Sequence, residues 1–220
     1  MIFMIDSIKA KWFWLARWMC RVFCMLLFRV RSYGRENVPP DGAFVLISNH
    51  QSYLDPMLCG IPLTRQVSFL ARESLFNNWF FGRMISSVGT IPVKLGEGDI
   101  SAIRKAIDVL KQGRGVCLFP EGTRSHDGAI APFKPGFGLL CRRGRAAVVP
   151  VVIDGAFECW PRHKKLFSYG SIVVSYGKAI PAGQVKNMGN EELAEVLTET
   201  CRKMQNKSRI KQGKKQYDYS

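Results

Sequence analysis

Residues 43–55 read AFVLISNHQSYLD. Ala43–Ser48 is a short run of β-forming residues without polar alternation, and a strand apolar on both faces must be covered on both faces, as in the parallel sheets of α/β domains. Asn49–Asp55 follows with polar, turn-forming residues, so His50 and Asp55 fall at the carboxyl end of that strand, where open α/β sheets place their sites. The spacing H-x4-D has two readings. A turn that brings the pair together lets Asp55 hold the proton on one ring nitrogen of His50 and leaves the other nitrogen to take a proton from a hydroxyl. The competing reading is structural, with Asp55 as a helix N-cap and Pro56 at the first helical position.

Working outward, the same texture recurs. Gln66–Ala71, Gly89–Val93, Gly115–Phe119, Ala146–Ile153 and Ser171–Tyr176 read as strands, and Asn78–Ser87, Asp99–Gln112 and Glu191–Met204 as helices. Asp99–Gln112 carries the clearest helical pattern, with Asp99 as cap, Ile100, Ile103, Ile107 and Leu110 on one face and Gly113 after the end. Strands alternating with crossover helices predict an α/β fold: one domain over 34–204 with a mixed, mainly buried β-sheet flanked by helices. Before it lies an N-terminal helical segment, 1–33, and after it a basic, polar tail, 205–220.

The chain has 220 residues, 47% hydrophobic and 22% charged, which excludes disorder, collagen and coiled coil. Its 32 Lys+Arg against 17 Asp+Glu leave a net charge of +15, so an anionic partner is implied. The excess is terminal: residues 1–40 carry +5 and residues 202–220 carry +6, against +4 for everything between. Basic ends around a nearly balanced centre favour an anionic membrane surface over nucleic acid. Residues 1–33 also concentrate Trp12, Phe13, Trp14, Leu15, Trp18, Phe23, Leu26, Leu27 and Phe28. At helical spacing Lys11, Arg17, Arg21 and Arg29 share an arc of about 120° with Trp14 and Trp18, which predicts amphipathic helices lying at the membrane interface. The competing reading is a helix packed on its own domain.

No uncharged run exceeds the 13 residues Gly42–Leu54, too short to span a bilayer, and charges interrupt every apolar stretch that could serve as a cleaved signal peptide. Seven cysteines, an odd number without C-x-x-C spacing, fit a reducing compartment. The expected location is therefore peripheral or monotopic on the cytoplasmic face of a membrane. His50, His126 and His163 lack metal-ligand spacing, so no metal is expected.

A second segment, Phe119–Ser125 (FPEGTRS), also follows an apolar strand and holds an arginine suited to bidentate phosphate recognition. Phe133–Gly136 (FKPG), Gly89–Lys94 (GTIPVK) and Val149–Val151 (VPV) complete a set of segments. In order and spacing, with NHQSYLD, they resemble the glycerophospholipid acyltransferases of the 1-acylglycerol-3-phosphate acyltransferase type, over about residues 35–180. The resemblance implies that His50 is the general base and Asp55 its orienting carboxylate. It implies an acceptor-phosphate site from Lys94, Glu121, Gly122, Thr123 and Arg124, with Asn49, Ser125 and Lys134 in support. Lys94 stands where the family usually has arginine, keeping the charge without the planar fork. Arg124 has an alternative role as a brace paired with Glu121.

The reaction implied is direct transfer of a fatty acyl group from a thioester, acyl-CoA or acyl carrier protein, to the free hydroxyl of lysophosphatidic acid, with no further cofactor. Another lysophospholipid or glycerol 3-phosphate is the alternative acceptor. A serine esterase or thioesterase using Ser52 or Ser125 is a remoter reading, since no G-x-S-x-G elbow is present. A non-enzymatic basic module binding membrane or nucleic acid is another.

Overall fold

The computed structural model describes residues 2–87, 89–94 and 100–219. A seven-stranded sheet runs in the order β1-β7-β6-β2-β5-β3-β4, with β1 Arg31–Tyr33, β2 Phe44–Ser48, β3 Val67–Arg72, β4 Ile91–Val93, β5 Gly115–Leu118, β6 Ala147–Asp154 and β7 Val173–Tyr176. Every neighbouring pair is parallel except β6 and β7. The sheet is therefore mixed, and all five residues of the central β2 are buried, as its unbroken apolar run requires.

Strand pleating divides the core. On β2, Val45 and Ile47 face a layer built by α4 (Ile100–Lys111), α5 (Phe137–Arg143), α7 (Ala182–Asn187) and α8 (Asn190–Lys211). Phe44 and Leu46 face the opposite layer, with Cys24 and Phe28 at the end of α1 (Ile2–Leu27), Leu58 and Cys59 of α2 (Asp55–Gly60), and Ala156 and Cys159 of α6 (Ala156–Cys159). α3 (Trp79–Ser87) lies between β3 and β4. Because β2, β3, β4 and β5 are all parallel, the residues that follow them emerge on one edge of the sheet.

Several elements differ from their sequence reading. Arg31–Tyr33, expected at the end of the N-terminal helical segment, is a strand paired with β7. Arg29 N–H, donating to the Gly170 carbonyl at 3.0 Å, ties it down. The final helix runs on to Lys211, seven residues past Met204. Its basic end is neutralised from outside, since Arg209 pairs with Asp154 at 2.9 Å and with Glu158 at 3.3 Å. α5, α6 and α7 were not legible as helices, being short. The expected cap Asp99 lies outside the described residues, as do the side chains of Lys9, Lys11, Trp12 and Phe13.

α1 is one continuous helix of 26 residues. Arg17, expected in a lipid-facing arc, is turned onto the domain, where its guanidinium donates to the Ile61 carbonyl at 2.8 Å. Trp14, Leu15, Trp18, Met19, Phe23, Met25 and Leu26 are exposed. Among the described residues no helix is long and apolar enough to cross a membrane.

Candidate active site

Asn49 starts the turn after β2 by continuing the sheet with its side chain. Its amide donates to the Ile153 carbonyl at 2.9 Å and its oxygen accepts the Ile153 N–H at 2.8 Å. The chain then folds back so that His50 Nδ1–H donates to Asp55 Oδ2 at 2.7 Å. The same oxygen accepts the Gln51 and Ser52 N–H groups at 2.5 and 2.6 Å. Asp55 is the first residue of α2 and is fully buried, and its carboxylate points back into the turn instead of capping the helix ahead. The structural reading of Asp-Pro as a cap is thus replaced by the histidine–carboxylate pair.

The imidazole is fixed on a second side by the Phe119 ring, stacked at 4.3 Å between centroids. With Nδ1 committed to Asp55, Nε2 is the nitrogen able to accept a proton. His50 is partly open to solvent while Asp55 is closed off, which suits a base that must meet a substrate and a carboxylate that must only orient it.

The segment after β5 docks onto this turn through its backbone. Glu121 Oε1 accepts the His50 N–H at 2.7 Å, Oε2 accepts the Ala131 N–H at 3.2 Å, and the Ser125 N–H donates to the His50 carbonyl at 2.7 Å. Burial pushes the Glu121 carboxyl up to about 7, against the opposing pull of those two backbone donors. Gly122 turns the chain at φ 75°, a left-handed conformation that glycine adopts without strain. A Cβ there would also stand 3.0 Å from Lys134 Nζ, so the lysine lies across this turn. Lys134 N–H donates to the Pro120 carbonyl at 3.0 Å, bringing Phe133–Gly136 against Phe119–Ser125 as the two motifs require.

Arg124 lies flat on the Tyr53 ring, its guanidinium carbon 3.6 Å from the centroid. Its Nη1 is buried without a hydrogen-bond partner in the protein, and among the described residues it makes no ion pair with Glu121. The brace reading of Arg124 therefore has no contact to support it. Thr123 Oγ1 stands 3.5 Å from Arg162 Nη1, which also meets His126 Nε2 at 3.0 Å. Ser125 Oγ bonds Asp127 at 3.0 Å and the Ala129 carbonyl at 2.9 Å, so it shapes the loop. Ser52 Oγ donates to the Trp160 carbonyl at 2.7 Å. Both serines considered as nucleophiles are thus engaged in structure.

Lys94 lies further along the same edge of the sheet. It follows β4, three strands along from β2 and so about 14 Å across the sheet. There it lines a surface pocket with Arg72, Glu73, Ser74 and Val93.

Sequence reasoning missed several participants. Tyr53 supports Arg124, and Gln51 Nε2 donates to the Gly128 carbonyl at 2.6 Å, a carbonyl that Gln205 Nε2 also reaches at 2.9 Å. Tyr219 Oη accepts the Ile130 N–H at 2.8 Å and donates to Gln205. Gln51 and Tyr53 could have been found as neighbours of His50. Gln205 and Tyr219 gave no signal, since their partners lie some 77 and 89 residues away.

Comparison with known proteins agrees with this arrangement. The acyltransferase family model matches residues 29–154. The 1-acyl-sn-glycerol-3-phosphate acyltransferase of Bacillus subtilis is 27% identical over 192 residues, covering 85% of this chain and 94% of its own. The chloroplastic 1-acyl-sn-glycerol-3-phosphate acyltransferase BAT2 of Brassica napus is 30% identical over 151 residues, covering 67% of this chain, which spans only 44% of that longer protein. Among solved structures, the 1-acyl-sn-glycerophosphate acyltransferase PlsC of Thermotoga maritima superposes with a TM-score of 0.81 at 24% identity, over 93% of this chain and 82% of its own. That likeness speaks to the fold, while the family match spans more than half of the chain and includes the strand, the His50 turn and the Glu121–Ser125 segment. The chain belongs to the acyltransferase family.

Proposed function

We propose that the protein transfers a fatty acyl group from an acyl thioester, acyl-CoA or acyl carrier protein, to the free hydroxyl of lysophosphatidic acid at a membrane surface. The observation that carries this is the pairing of a buried-carboxylate histidine dyad with an arginine whose Nη1 has no protein partner. The relatives named above act on 1-acyl-sn-glycerol 3-phosphate by their names, and that acceptor carries both a hydroxyl for the first group and a phosphate for the second.

The geometry supports direct transfer. His50 Nε2 takes the proton as the acceptor oxygen attacks the thioester carbonyl, the new ester bond forms as the carbon–sulfur bond breaks, and the imidazolium returns the proton to the departing thiolate. Asp55 holds the ring and compensates its transient charge. Thioesters are good acyl donors, so the remaining task is orientation of two amphiphiles. Arg124, Thr123 and Lys134 at the Gly122 turn take the acceptor phosphate, and Lys94 at the end of β4 is a further cation for it on the same edge of the sheet. The exposed large apolar side chains of α1 rest in the headgroup–acyl boundary of an anionic membrane, a coating costly to leave in water.

The test compares lysophosphatidic acid with the matching phosphate-free monoacylglycerol as acceptors, in wild type and Arg124→Ala, with labelled acyl-CoA and acyl carrier protein donors. Losing a hydrogen bond to a charged group costs about 1.5–3 kcal/mol, so the preference for the phosphorylated acceptor should shrink by roughly 10–150-fold. An equal loss on both acceptors would remove Arg124 from the phosphate site. Absence of transfer to any phosphorylated lysolipid in wild type would remove the reading itself.

A further inference from the structure

The segment Trp160–Tyr169 between α6 and β7 reads WPRHKKLFSY and touches the site above through Arg162 and the Trp160 carbonyl, while the residues from His163 onward have no role in it. It leaves Leu166 79% exposed and Tyr169 78% exposed, with Phe167 at 37%, beside the exposed cations Arg162, Lys164 and Lys165. Large apolar tips held out on a loop mark a contact surface. This one is continuous with α1, since the Phe167 ring packs edge-on against Phe23 at 6.2 Å and Phe28 at 5.7 Å. In the other direction Phe167 meets Trp160 at 5.9 Å and Trp160 meets Tyr53 at 5.4 Å, and Tyr53 carries Arg124 on its face. A row of aromatic rings therefore leads from the exposed side of α1 to the candidate phosphate arginine.

We propose that Trp160–Tyr169 is a second lipid-contact element, which docks on an anionic bilayer with Leu166 and Tyr169 entering the acyl boundary and Lys164 and Lys165 meeting lipid phosphates. Cations interleaved with apolar tips match the chemistry of that boundary. An acidic protein or a nucleic acid would answer the cations and leave Leu166 in water. The consequence is geometric: with α1 and this loop seated together, Arg124 stands at headgroup height, where an acceptor can present its phosphate while its acyl chain remains in the bilayer. This consequence rests on the function proposed above; the lipid contact does not.

The experiment uses the full chain and two double variants, Leu166→Asp with Tyr169→Asp, and Lys164→Glu with Lys165→Glu. Flotation is measured on phosphatidylglycerol–phosphatidylcholine vesicles and on phosphatidylcholine alone. Transfer is measured to lysophosphatidic acid in vesicles and to a short-chain, monomeric lysophosphatidate. The aspartate pair should lower vesicle partitioning and the vesicle-borne rate at least about tenfold with the monomeric rate intact, and the glutamate pair should weaken binding to the anionic vesicles alone. Unchanged flotation in both variants would overturn the proposal. So would an equal loss on both acceptors, which would make the loop part of the catalytic site. A loss confined to the carrier-protein donor, with flotation intact, would make it a protein-docking surface instead. Should wild type transfer to no lysophosphatidate, the function falls and flotation still decides the loop.

Discussion

The turns after β2 and β5 leave neighbouring parallel strands side by side, yet they hold their shapes by different means. The Asn49–Asp55 turn is closed mostly by its own residues: Asp55 Oδ2 gathers the His50 ring and the Gln51 and Ser52 amides within five positions. The Phe119–Ala131 loop is held largely from elsewhere. His50 supplies partners for Glu121 and Ser125, Gln51 and Gln205 share the Gly128 carbonyl, Arg202 donates to the Ile130 carbonyl, and Tyr219 caps the Ile130 N–H. The difference separates chemistry from shape. The first turn places its base mostly through its own residues, whereas the second depends on side chains from the last nineteen residues of the chain.

If that division holds, removing the base alone from the first turn should abolish activity without loosening the protein. His50→Ala removes the base and leaves the Asp55 carboxylate with its two backbone donors. Transfer should fall by about 10²–10⁴-fold, with a thermal midpoint close to that of wild type. Asp55→Asn should lose less activity and more stability, because a fully buried oxygen that accepts three hydrogen bonds is disturbed. Kinetics and thermal melts of the two variants check the contrast; full activity in a folded His50→Ala protein would break it.

Glu121 joins the two turns, and its titration tests the joint. Its folded value of about 7 lies above the ordinary 4.5, so between those values the folded protein holds a proton that the unfolded chain has released. Stability is then lost as pH rises from about 4.5 through about 7, and at lower pH this loss is absent. The shift corresponds to roughly 3 kcal/mol at most. Glu121→Gln removes that dependence while adding a fixed cost, since its NH2 group must face an amide donor. Melting both proteins from pH 5 to pH 8 should show the gap moving in the variant's favour as pH rises, and a flat gap would mean that Glu121 does not titrate in this range.

The same contrast explains what could be read in advance. β2, β5 and the stripe of α4 were legible because burial on both faces and helical periodicity are local patterns. The His50–Asp55 pair was legible because its members are five residues apart, and Glu121–Ser125 because a family resemblance carried them. The tail was misread for a physical reason: Arg209, Lys214 and Tyr217 are polar in composition, and the buried Asp154 that receives Arg209 and Lys214 stands some 55–60 positions earlier. Arg31–Tyr33 was misread likewise, since only pairing with β7 makes three polar-edged residues a strand.

The smallest expected effect is the one that tests the tail itself. Tyr219 Oη accepts from the Ile130 amide and donates to Gln205, whose own amide donates to the Gly128 carbonyl, so one hydroxyl joins α8 to the loop that carries Glu121 and Arg124. Tyr219→Phe keeps the ring and its contact with Arg202, 4.7 Å from the centroid, and removes only the hydroxyl. Two modest hydrogen bonds are lost and a mostly buried N–H is left without a partner, a net cost of about 1–2 kcal/mol. For a chain of this size that lowers the thermal midpoint by roughly 2–8 °C. If the loop draws its shape from the tail, acceptor KM should rise alongside the lower midpoint while kcat changes little, because the loosened side holds Arg124 and the His50 turn remains closed on Asp55. A lower midpoint with KM intact would make the tail a stabilising strap alone. A kcat that falls while KM holds would place the tail's influence on the base, and the independence of the two turns would have to be given up.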